Sequence, residues 1–275
     1  MNLLVIVASV HAASASPTFT HRMLPGVRDL NRCFRPPYDD EPGRTAEEIL
    51  EILKLHHPEA VVDMHNTSGS GPAFGVCSFA DRHHDSLVAL FTHRLVVSGL
   101  QLGALMESSK PRCPIVTIEV GGRADEAAHA LAHAGLLRYA MASEVLTPIA
   151  TTVEDSSPSL EIFDHPMRLE LLEGTVLGYG AVPQADCDIT LRSDIERLNF
   201  GTVDTRTPLG WIAGDPGSLL RATDPSGNCV VSSLLRSEAG QLLPARNLKL
   251  FMITTNAAIA ASDCLLYAVY HDPAG

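Results

Sequence analysis

Ala60-Val61-Val62-Asp63-Met64-His65-Asn66-Thr67-Ser68 is the stretch on which the reading of this chain turns. Residues 60–64 form a short apolar, β-branched run behind Pro58, the pattern of a largely buried strand, and the His-Asn-Thr-Ser of residues 65–68 is expected just past its C-terminal end. Upstream, Thr45 and Glu48 have the spacing of a capping box, opening a helix with Ile49, Ile52 and Leu53 on one face that Pro58 terminates. Further back, Leu3-Leu4-Val5-Ile6-Val7 opens a first expected strand over residues 3–9. Downstream, residues 84–97 read as a helix, and residues 115–120 as a third buried strand ending at Gly121-Gly122. Residues 125–145 follow as an Ala/Leu-rich helix. Strands alternating with helices imply an α/β layer with a largely parallel sheet, and ligand sites of such sheets gather at the C-terminal strand ends.

Beyond residue 150 the texture changes. Between residues 151 and 250, Pro, Gly, Asp and Ser break up short apolar runs every eight to twelve residues, which predicts a β-rich domain. The expected organisation is an α/β domain over 1–150 and a smaller β-rich domain over 151–275, divided near Asp155-Ser156-Ser157-Pro158.

Composition narrows the function. The 275 residues are 45% hydrophobic and 19% charged, enough to bury a core and too apolar for general disorder. Twenty Lys and Arg against 32 Asp and Glu give a net charge of −12, and no basic stretch is present. That argues against nucleic acid and anionic membrane as partners, both of which need a basic footprint, and favours a small molecule. The six cysteines include no C-x-x-C pair, so free thiols in a reducing, cytoplasmic setting are expected. The apolar N-terminal run precedes Ala13-Ser14-Ala15, as in a signal peptide, but no Lys or Arg comes before it, which favours the strand.

Three polar sites follow apolar runs. Asp29-Leu30-Asn31-Arg32 offers an amide and a guanidinium fork suited to a carboxylate, and equally to a surface ion pair. Asp63-Met64-His65-Asn66 has the form of a metal ligand with a supporting carboxylate, although a lone His is more often structural. In Thr117-Ile118-Glu119-Val120-Gly121-Gly122, burial would raise the Glu119 pKa toward general-base duty; an exposed edge position is the alternative.

In this order and spacing, D-L-N-R, D-x-H-N-T-S and I-E-V-G resemble the succinylglutamate desuccinylase/aspartoacylase family, zinc amidohydrolases related to the carboxypeptidase A fold. The resemblance spans roughly residues 15–145 and fades beyond 150. It implies a carboxypeptidase-like α/β domain holding one zinc ion, with His65 as a metal ligand. Glu119 is implied as the carboxylate that activates water and passes its proton to the leaving amine, and Asn31 and Arg32 as the grip on the substrate carboxylate. The implied substrate is a small N-acyl amino acid, and a homo-oligomer is compatible with the family. The chain departs from the pattern in three places. The H-G-x-E motif that supplies two zinc ligands would lie upstream of Leu3, and the sequence carries none; His11 and His21 are the nearest substitutes, while His56 and Glu59 lie about 20 Å from His65 at roughly 3.3 Å per residue. His129 and His133 have i, i+4 spacing but lack the Glu of H-E-x-x-H. Ser16-Pro17-Thr18 replaces a segment bearing an oxyanion-stabilising Arg, and Thr255-Asn256-Ala257-Ala258-Ile259 lacks the family's substrate-binding Tyr. These departures keep a second expectation open: a non-catalytic relative that has lost zinc ligands and binds a carboxylate.

Overall fold

The computed structural model describes residues 2–142, 144–146, 159–224 and 227–271; the division expected near residues 155–158 lies outside them. Five strands form the N-terminal sheet: β1 (Val61–Thr67), β2 (Phe74–Cys77), β3 (Arg94–Val97), β4 (Ile115–Gly122) and β5 (Glu161–Asp164). Their order is β1-β4-β2-β3-β5, with β4–β2 antiparallel and the other three pairings parallel. This is the mixed, largely parallel α/β sheet that the sequence predicts. Its last strand comes from beyond residue 150, so the sheet does not end where the change of texture does.

Four helices accompany the sheet: α1 (Val10–Ser14), α2 (Glu41–His56), α3 (Arg82–Ala89) and α4 (Glu126–Met141). The β-branched run of β4 explains its central place. Val116, Ile118 and Val120 pack in one core with Leu87 and Val88 of α3 and Ala128 of α4, while Ile115 joins Cys33, Phe34, Ala46 and Ile49 in another. Gly135 lets α4 approach the Phe91 ring, where a Cβ would lie 2.2 Å from the nearest ring atom.

Several expected elements are corrected. Residues 3–9 form no strand; they have no ladder partner among the described residues, and Leu3, Val5 and Val7 are 53%, 73% and 72% exposed. The capping box at Thr45 is not used, because α2 begins earlier at Glu41, where Asp40 accepts from Gly43 N at 2.9 Å and Pro42 occupies the first turn. The helix expected over 84–97 stops at Ala89, and the β-branched end of that segment becomes β3 instead. β1 runs on through Thr67, so His65 lies within the strand and not beyond it.

The remaining strands all lie in the C-terminal half. They are β6 (Met167–Leu171), β7 (Leu177–Gly180), β8 (Ile189–Arg192), β9 (Thr202–Val203) and β10 (Gly210–Ile212). After them come β11 (Leu220–Thr223), β12 (Leu235–Glu238), β13 (Gln241–Pro244), β14 (Leu248–Phe251) and β15 (Leu266–Tyr270). Two sheets result, β12-β13-β10-β8-β7 and β11-β6-β15-β14-β9, antiparallel apart from the β7–β8 pair. Alternate residues of both, among them Ile189, Leu191, Leu169 and Leu250, fill one shared core. Short helices α5 (Pro216–Leu219), α6 (Val231–Leu234) and α7 (Ala257–Ser262) close its ends. Among the described residues no helix is long and apolar enough to cross a membrane.

Candidate functional site

The parallel register of β1 and β4 sets His65 directly beside Glu119. Because side chains alternate along a strand, Asp63 and His65 share a face, and His65 Nε2 lies 2.9 Å from Asp63 Oδ2. The other ring nitrogen, Nδ1, lies 3.8 Å from Glu119 Oε1. Glu119 sits in a central strand, 9% exposed, which corrects the edge position held open for it. Burial raises its pKa above the usual carboxylate range, opposed by the His65 charge. Burial disfavours the imidazolium of His65, yet Asp63 and Glu119 outweigh that and raise its pKa to about 9. His65 is thus held between two carboxyl groups, Asp63 on one ring nitrogen and Glu119 on the other.

A second group faces this pair from the loop before α2 and from the C-terminal half. The 3-10 turn Leu30–Arg32 is capped by Asp29, whose Oδ1 accepts from Asn31 N at 3.0 Å. Arg22 donates to Asp29 Oδ2 through Nε and Nη2, at 2.9 and 2.6 Å, and to Asp263 Oδ2 through Nη1 at 2.8 Å. Arg32 Nη2 reaches Asp263 Oδ1 at 3.2 Å. Arg168 Nη2, from β6, donates to the same oxygen at 2.9 Å and to the Asp263 backbone carbonyl at 2.6 Å. Arg22 and Asp263 both act electrostatically on Glu119, so the second group lies within the field of the first.

The structure therefore brings His65 and Glu119 together, and Arg32 into the adjoining group. Asn31 lies in the same turn as Arg32, and its Oδ1 accepts from Leu105 N at 3.0 Å, pinning a neighbouring turn. Neither substitute ligand joins His65. The exposed His11 pairs with Glu41 at 2.7 Å, and His21 contacts Ser16 O. Arg22 belongs to no motif in the sequence, yet it brings a guanidinium to the site from the loop after Ser16-Pro17-Thr18. The same holds of Asp263 and Arg168, since Asp263 lies 241 positions from Arg22 and no local pattern links them.

The zinc implied by the resemblance can be tested against these donors. A catalytic zinc takes three protein ligands and keeps a position for water. Here both ring nitrogens of His65 face carboxylates. No three His, Cys, Asp or Glu side chains gather to hold an ion among the described residues. The residues present do not complete a zinc site.

One constellation elsewhere has the connectivity of a catalytic triad. His84 Nδ1 lies 2.9 Å from Asp81 Oδ1 and Nε2 lies 2.8 Å from Ser109 Oγ, which itself accepts from Ile115 N. The imidazole is 0% exposed, so no leaving group can reach Nε2. It stitches α3 to the turn before β4.

The fold and the site together define a mixed α/β protein with a β-rich C-terminal half and an arginine-bounded His–Glu centre. Among solved structures the chain is similar to murine aminoacylase 3, at 13% identity and a TM-score of 0.48, over 88% of this chain and 76% of that one. It is likewise similar to the succinylglutamate desuccinylase/aspartoacylase from Rhodobacter sphaeroides, at 16% identity and a TM-score of 0.49, over 86% and 66% of the two chains. A succinylglutamate desuccinylase from a Silicibacter species gives 17% and 0.47, over 91% and 70%. No family model and no curated protein matches the sequence.

Proposed function

We propose that this chain binds a small N-acyl amino acid by its carboxylate and hydrolyses the amide bond. In this reading Arg32, joined by Arg22, holds the substrate carboxylate, and Glu119 takes the proton of the attacking water and returns it to the leaving amine. The observation that carries the reading is the placement of Glu119. It is a buried carboxylate whose pKa burial raises, next to the His65 imidazole and within the field of Arg22. A carboxylate whose pKa burial raises is a stronger base than an exposed one, and it stands beside groups that recognise an anion. The donor set does not complete a zinc site, and no step here is assigned to a metal. Support for a second reading, a carboxylate-binding protein without turnover, comes from that same incomplete set.

The test is hydrolysis of N-acetyl and N-succinyl amino acids by the purified chain, with and without added zinc, alongside metal analysis. The first reading expects measurable turnover that Glu119→Gln lowers by about a hundredfold or more. Binding of the same compounds with no hydrolysis under either condition would leave only the second.

A further inference from the structure

We propose that Arg22, Arg32 and Arg168 form one carboxylate-binding site that Asp263 fills from within the chain, and that a ligand's carboxylate enters by taking Asp263's place. The inference rests on the reading of Arg32 as a carboxylate-binding residue, and not on hydrolysis.

Three observations lead to it. First, guanidinium groups from three separate parts of the chain converge on one carboxylate: Arg22 on Oδ2 at 2.8 Å, Arg32 and Arg168 on Oδ1 at 3.2 and 2.9 Å. A forked guanidinium binds a small carboxylate as it binds an aspartate, so the cluster is chemically a receptor for either. Second, the cluster is rich in donors. Arg168 Nε is buried with no hydrogen-bond partner among the described residues. Glu170, the other carboxylate contacting Arg168, also serves Arg221 at 3.1 Å, and Asp29 serves Arg22. Without Asp263, Arg22 would keep Asp29, Arg168 a share of Glu170, and Arg32 only the Asn31 carbonyl. Third, the occupant borders a cleft. Asp263 caps the six-residue helix α7 and lines a cleft together with Ile259, Phe200, Gly71 and Thr67. Thr67 ends the strand that carries His65, so the cleft that Asp263 lines also touches the end of that strand.

The obvious alternative is that Asp263 only orients the arginines, and the two roles predict opposite signs. With Asp263 as occupant, the isosteric Asp263→Asn removes the competing charge and tightens binding; with Asp263 as a positioning residue, the same change loosens the arginines and weakens binding. Calorimetric titration of the full chain with succinate is expected to give about tenfold tighter binding to D263N than to the unsubstituted chain. Arg168→Met in the D263N background should abolish the gain. Equal or weaker binding to D263N overturns the proposal.

A second measurement covers poor folding of the variant. Asp263→Ala leaves a gap that acetate fits, so acetate should raise its thermal midpoint above the value in chloride at equal ionic strength, with no such rise for the unsubstituted chain. No anion-specific rise, or a chain that acetate fails to restore, overturns the proposal as well. Neither readout involves turnover. A chain that hydrolyses nothing still tests this site, and a hydrolytic chain whose D263N variant binds no tighter removes this inference alone.

Discussion

Asp263 is held to a pKa of about 2, against an ordinary 3.8, although its burial by itself pushes the carboxyl up; Arg22 first, then Arg32 and Arg168, supply the opposing charge. The sign of the consequence follows. A carboxylate whose pKa is depressed on folding contributes stability that is fully present above its unfolded value and is lost as pH falls through the folded one. The contribution is about 2 kcal/mol, lost between pH ~4 and ~2. Denaturant melts across that window should therefore steepen for the unsubstituted chain and flatten for Asp263→Asn; superimposable pH profiles would show that the three guanidinium groups do not stabilise the fold through this carboxylate. At the same scale, the polar residues of the site were only partly legible. His65 and Glu119 were each legible because His65 follows an apolar run and Glu119 interrupts one, while their pairing is a fact of the sheet register. Arg22, Arg168 and Asp263 were not, since their meeting depends on how the C-terminal half folds back, a long-range fact without a local signature.

At the scale of elements, the apolar run at residues 3–7 separates composition from structure. Its residues are strong strand formers, and the expectation of a buried strand rested on that. A strand also needs a neighbour to satisfy its amides, and none pairs with this run among the described residues, while β1 at the sheet edge is bonded to β4 alone. An exposed β-prone segment and an open sheet edge in one chain favour self-association. Replacing Leu4 and Val5 with Asp should lower the association seen by sedimentation velocity and change folding stability by less than about 0.5 kcal/mol, as for residues outside any core. A large loss of stability would mean that the run is buried in solution. The other misread elements have similarly local causes. The end of β1 is hard to read in sequence because Asp63, His65 and Thr67 place polar residues at alternate positions of a partly buried strand and imitate a loop. The helix over 84–97 was drawn too long because Leu95, Val96 and Val97 suit either period, whereas β4 and α4 were plain, marked by a β-branched run, a Gly-Gly end and the Asp125 cap.

For the whole molecule, the question is what holds the α/β sheet to the β-rich half. An apolar contact contributes: Phe74 and Phe163 of the first sheet surround Phe200, which stacks on Phe251 of β14 at 5.3 Å. A polar contact lies beside it. The Glu196 carboxylate accepts from Ser70 N and Oγ, at 2.9 and 2.5 Å, and from Thr255 N and Oγ1, at 2.6 and 2.8 Å, which outweighs burial and lowers its pKa. Asn199 donates from Nδ2 to Ser70 O and Ile253 O, and its Oδ1 accepts from Ile253 N. Together they fix the loop after β1 against the segment leading into α7, and so set the distance between the His–Glu pair and Asp263. Glu196→Ala would leave four donors without their acceptor, at a cost of about 1–3 kcal/mol, whereas the aromatic contact would remain. If the polar contact sets the geometry of the site, this variant should lose succinate affinity by more than its drop in thermal midpoint explains, and the loss should persist at temperatures where it is fully folded. A variant that is merely less stable, with unchanged affinity when folded, would place the control of the site in the aromatic cluster instead.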